Sequence, residues 1–146
     1  MITPRHLATL LDAVPSFAPE WDTWRAGHDD YVAQFPDAEL TEPETGDEFL
    51  AQLASHLARR IATGDTNEVS RVFGALEPML EGADEATYNA LTIGFLESLI
   101  YAVEREGAEA APLGAFAVGR ASHEAWSFAF RYTHGRTELP PDPTPT

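Results

Sequence analysis

Apolar residues recur along the chain at helical spacing, three or four apart, and no segment alternates with period two. Thr3 followed by Pro4 reads as an N-cap with proline at the first helical position, and Leu7, Leu10, Leu11 and Val14 follow in register until Pro15 stops the helix. A second pattern carries Trp21, Trp24, Tyr31, Val32 and Phe35 on one face, interrupted by Gly27 and ended by Pro36. Residues 36–46 (PDAELTEPETG) keep no period and read as an acidic connecting loop. Asp47 is then positioned to cap a helix bearing Phe49, Leu50, Leu53, Leu57 and Ile61, with Gly64 as its stop.

Asp65 or Thr66 is the expected cap of the next helix, which carries Val69, Val72, Phe73, Leu76 and Leu80. Pro78 should kink or end it, because proline lacks the backbone donor and crowds the preceding turn. Asp84 opens the strongest pattern, with Tyr88, Leu91, Phe95, Leu96, Leu99, Ile100 and Val103, the expected central helix of the core. Pro112 begins a last pattern with Leu113, Phe116, Trp126 and Phe130, less periodic through GRASHE and stopped at Gly135. The expected fold is all-α, a five to six helix bundle or an irregular two-layer helical stack. Residues 1–136 form one domain in this reading, and 137–146 a mobile proline-rich tail.

Composition narrows the chemistry. With 44% apolar and 23% charged residues, the 146-residue chain has the make-up of a folded domain. It holds no cysteine, which removes disulfides, thiolate metal sites and cysteine nucleophiles. The N-terminus lacks the apolar run of a signal peptide, and no stretch reaches the length of a membrane span, so the cytoplasm is the expected compartment. The formal net charge is −15, from 24 acidic residues against 9 basic ones. Such a surface repels nucleic acid and anionic lipid and attracts basic proteins; it also serves solubility alone.

No catalytic pattern survives inspection. Trp21, Trp24 and Tyr31 at helical spacing read as core rather than as a pocket. His28, Asp29 and Asp30 are consecutive and point apart on a helix, so they read as a solvated face. His123 and Glu124 lack the second histidine of H-E-x-x-H, because Ser127 stands there. His56, with Arg60 one turn on, is placed to bind a neighbouring carboxylate, while a pairing of His56 with Ser55 has no nucleophile-elbow motif behind it. A helical-bundle metalloprotein needs Glu-x-x-His pairs, but Leu53 and Arg120 stand three residues before His56 and His123. No enzymatic activity, cofactor or metal is expected.

The remaining candidate is a surface. Asp37, Glu39, Glu42, Glu44, Asp47 and Glu48 crowd six acids into twelve residues, and Glu81, Asp84 and Glu85 form a second cluster at a helix junction. Acids at a helix start also have a purely structural reason, the helix dipole.

The stretch Phe73–Glu104, with FGALEPMLEGADEATYNALTIGFLESL at its heart, resembles small acidic bacterial helical proteins, some of them similar to immunity proteins of polymorphic toxin systems. The resemblance spans residues 47–132 and rests on Glu77, Gly94, Phe95, Leu96, Glu97 and Leu99. Phe95, Leu96 and Leu99 fall on the apolar face of a helical wheel and Glu97 nearly opposite, while Gly94 suggests a close helix contact. The resemblance implies a protein that occludes the active site of a basic toxin, with Glu97 joining the two acidic clusters as a partner contact. A structural or self-associating adaptor, using Phe17, Trp21 and Trp24, is the alternative.

Overall fold

Thr3 does what its position predicts: its hydroxyl accepts from the His6 backbone N–H, and the Thr3 N–H donates to the His6 ring at 2.9 Å. His6 thereby completes a capping box in the place usually held by Glu or Gln. The computed structural model describes residues 2–36 and 42–135, those at 42–45 as helical backbone only. The helices are α1 (Pro4–Ala13), α2 (Ala18–Gln34), α3 (Glu42–Ala62), α4 (Val69–Glu81), α5 (Glu85–Asn89), a π-helical segment (Ala90–Glu97), α6 (Ser98–Arg105) and α7 (Arg120–His134). Short 3₁₀ turns cover Pro15–Phe17 and Ala111–Phe116, and no strand occurs among the described residues. The fold is all-α. With α5, the π segment and α6 continuous over 85–105, it is a bundle of six helical rods.

That continuous rod is the centre. It packs against α3 on one side and α7 on another, α7 also lies on α4, and α1 bridges α4 and α3. Leu91, Phe95, Leu96, Leu99 and Ile100 from the rod meet Phe49, Leu53 and Leu57 of α3, Phe73 and Leu76 of α4, and Trp126 and Phe130 of α7 in one buried core. Each large side chain buried there contributes about 1.5–3 kcal/mol relative to exposure. Gly64 (φ +88°) and Gly135 (φ +62°) end α3 and α7 in the left-handed conformation that glycine alone adopts without strain.

Several expectations are corrected. The loop reading of 36–46 fails from residue 42 onward: α3 begins at Glu42, so Asp47 lies inside the helix rather than capping it. Neither Asp65 nor Thr66 caps α4, which starts at Val69; Asp65 instead accepts from the Asn67 N–H at 3.1 Å and orders the loop. Pro78 sits in the last turn of α4, which ends three residues later at Glu81, in keeping with its expected role as a helix end. The pattern from Pro112 is two elements, a 3₁₀ turn and α7, separated at 117–119. Gly27 does not interrupt α2.

Along α2 only the first turns join the core. Trp21 is 4% exposed, stacks on Trp24 at 4.7 Å and meets Phe49 edge-on at 4.8 Å. Tyr31 and Phe35, expected on the same buried face, are 49% and 53% exposed, because α2 overhangs the bundle beyond its first turns. The proline-rich tail from residue 137 lies outside the described residues. Among the described residues no helix is long and apolar enough to cross a membrane.

Candidate functional site

The densest polar cluster joins parts of the chain that no local motif connects. Ser16, in the 3₁₀ turn before α2, places its Oγ 2.7 Å from His56 Nε2 on α3. The other ring nitrogen of His56 lies 2.8 Å from a carboxylate oxygen of Glu20 on α2. The spacing copies that of a nucleophile, a base and its orienting carboxylate. Glu68 turns it to another use. The Ser16 hydroxyl donates to Glu68, and the Ser16 backbone N–H, the first donor an oxyanion would need, donates to the same carboxylate at 3.2 Å. Arg60 pairs with Glu68 at 3.3 Å and with Asp65, and Arg59 with Glu20 at 2.5 Å. The cluster is an ionic lock that ties the α1–α2 corner to α3 and to the loop before α4. His56 and Arg60 each bind a carboxylate, as their spacing suggests. Ser16, Glu20 and Glu68 carried no signal, because most of these contacts join residues 36–52 positions apart.

A second polar junction joins α4 to α7. Gly119 flanks the start of α7 and has no side chain to cap it. Glu77 of α4 takes over: its carboxylate accepts from the Ala121 N–H at 2.9 Å, the Ser122 N–H at 2.7 Å and the Ser122 hydroxyl at 2.5 Å. Burial alone would raise the Glu77 pKa, but the bonds from Ser122 and Ala121 outweigh it and hold the carboxyl below its ordinary value. A Cβ at Gly119 would stand 2.2 Å from that carboxylate, so the missing side chain makes room for the substitute cap.

Beside this junction, Leu80, Glu81, Tyr88, Arg120, Ala121 and Glu124 line a cleft of about 290 Å³. Burial, then the Glu124 charge, raises the Tyr88 phenol above its usual value. Arg120 pairs with Glu124 at 3.4 Å across one turn of α7, both side chains largely exposed.

Of the acids expected to meet a partner, Asp37 and Glu39 lie outside the described residues, as do the side chains of Glu42 and Glu44. Asp47 is exposed, and Glu48 is half-buried, accepting from Gln52 at 2.8 Å. Glu81, Asp84 and Glu85 are exposed, and Asp84 caps α5 by accepting from the Thr87 N–H at 2.7 Å. The start of α1 lies between the two clusters. Ile2 stands 3.3 Å from where a Gly46 Cβ would sit, while burial lowers the His6 pKa and the Asp84 charge works against that.

Glu97 is not fully solvated: it is half-buried, with one carboxylate oxygen buried and without a hydrogen-bond partner among the described residues. Nor does Gly94 mark a forced contact: an added Cβ would only touch Leu50 at 3.9 Å. His28 lies 3.7 Å from Asp29 and stacks on Trp24, and no group of three potential metal ligands gathers among the described residues.

Fold and site together define an all-α domain whose polar clusters brace its helices and whose acids flank the start of α1. The domain described as Domain of unknown function (DUF7674) matches residues 7–116, and the chain belongs to that family. The match runs from α1 through the second 3₁₀ turn and stops short of α7. No curated protein and no solved structure matches the chain.

Proposed function

We propose that this chain is a non-enzymatic binding protein of the cytoplasm that neutralises a basic protein, as an immunity protein occludes the active site of its toxin. The observation that carries the reading is the net charge of −15, with Asp47, Glu81, Asp84 and Glu85 exposed on either side of the α1 start. Toxins that act on nucleic acid carry basic grooves, and an acidic face that imitates phosphate charge speeds encounter and selects such a partner. Residues 47–132 also resemble small acidic bacterial helical proteins, some of them similar to immunity proteins, which supports the same reading.

The test is capture of partners by the tagged chain at low salt, followed by assay of the captured protein. A basic protein that is released by salt and inhibited by the chain supports the reading. Binding that ignores both salt and the charge reversals Asp47→Lys and Glu85→Lys removes its electrostatic basis.

A self-associating or adaptor domain is the second reading, favoured by the exposed pair Tyr31 and Phe35, whose rings lie 5.0 Å apart. Phe17 and Trp21 are core, so a change at Trp21 tests folding rather than association. The informative variant is Phe35→Ser: a dimer in sedimentation that it dissolves supports this reading, and a strictly monomeric parent protein removes it.

A further inference from the structure

We propose that the cleft between the end of α4 and the start of α7 seats one arginine side chain of the basic partner. The inference rests on the binding-protein reading and gives it a site of side-chain size. The cleft offers three surfaces, each matched to a part of arginine. Leu80 and Ala121 present apolar wall to the methylene stem. Tyr88, half-buried, presents a ring for a planar guanidinium to stack on. Glu81 and Glu124 present carboxylates to its N–H fork.

The cleft also shows what it accepts. The chain's own Arg120 stands at the rim and donates to Glu124 at 3.4 Å, with side-chain exposures of 91% and 62%. A pair so exposed is weak and easily exchanged. A guanidinium entering deeper, against Tyr88, is better shielded from water and interacts more strongly with the same acids.

The test is titration calorimetry of the full chain with a hexaarginine peptide at low salt. The variants are Glu81→Gln with Glu124→Gln, Tyr88→Leu, and Asp12→Asn with Glu106→Gln, two exposed acids that neither line the cleft nor belong to the acidic clusters, as a control of equal charge change. Thermal melts establish that each variant folds. The expected result is weakening of about tenfold or more in both cleft variants, and within about twofold in the control, as for screened surface charges. Equal weakening in the cleft and control pairs overturns the cleft and leaves the acidic-surface reading standing. No binding by the parent chain overturns both.

Discussion

The Glu77 carboxylate on α4 accepts both the backbone N–H of Ser122, at 2.7 Å, and its hydroxyl, at 2.5 Å, and so caps a helix that begins more than forty residues later. An N-cap is usually local, supplied by the residue just before the helix. Here Gly119 leaves that place empty, and the cap becomes a tertiary contact that also sets how α7 lies on α4.

Replacing this carboxylate should therefore loosen α7 as a unit. Glu77→Ala is expected to destabilise by about 1–3 kcal/mol, the range for leaving buried donors without a partner. Urea unfolding of the variant measures it. A loss within about 0.3 kcal/mol, the scale of ordinary surface substitutions, would show that the cap does not hold the helix.

The same contact should appear in the pH dependence. The folded pKa of Glu77 lies below its unfolded value, so its contribution is complete above the ordinary glutamate value, about 4.3, and is lost as pH falls through the lowered folded value. The stability gap between the parent chain and Glu77→Gln should be widest near neutrality and close in acid. A gap that stays constant from pH 7 to about pH 2 would contradict this linkage.

Ser122 and Ser127 are both buried on α7, yet their removal should have opposite signs. The Ser122 hydroxyl serves Glu77 and the Phe73 carbonyl, so Ser122→Ala should cost about 1–2 kcal/mol. The Ser127 hydroxyl has no hydrogen-bond partner among the described residues, so Ser127→Ala removes a desolvation penalty and should be neutral or stabilising by up to about 1 kcal/mol. Melting temperatures of the two variants on either side of the parent would bear this out; a shift in the same direction for both would not.

Two glycines should separate in the same way. At Gly119 a methyl group must displace a carboxylate held by three hydrogen bonds, so Gly119→Ala is expected to cost about 1–3 kcal/mol. At Gly94 the methyl only reaches Leu50, so Gly94→Ala should gain up to about 1 kcal/mol from helix propensity. Equal effects in denaturant melts would show that the space around these positions does not decide the outcome.

His56→Ala should free the α1–α2 corner. It leaves Ser16 and Glu20 short of a partner and removes a ring packed 5.3 Å from Phe17, for a loss of about 1–3 kcal/mol. Hydrogen exchange should quicken first in the 15–21 segment. Faster exchange confined to α7 would place the weak point elsewhere.

Most of the fold was legible from spacing. Phe49, Leu50, Leu53 and Leu57, and Leu91, Phe95, Leu96, Leu99, Ile100 and Val103, are buried as their spacing predicts, because burial of one stripe is what makes a helix of such a sequence stable in a domain. Thr3, Asp84, Gly64 and Gly135 set helix ends by local chemistry that needs no knowledge of the rest of the chain. The net charge and the absence of cysteine were equally plain. Tertiary structure alone decided the remainder. Periodicity tells which side of α2 is apolar but not how far the bundle reaches along it, so Tyr31 and Phe35 stand exposed. A helical wheel assumes one turn geometry, and nothing local announced that Ala90–Glu97 adopts π geometry. Ser16 with Glu68, and Glu77 with Ser122, are pairs whose separation along the chain hides them, because a hydrogen bond depends on distance in space and the packing of α1, α4 and α7 sets that distance.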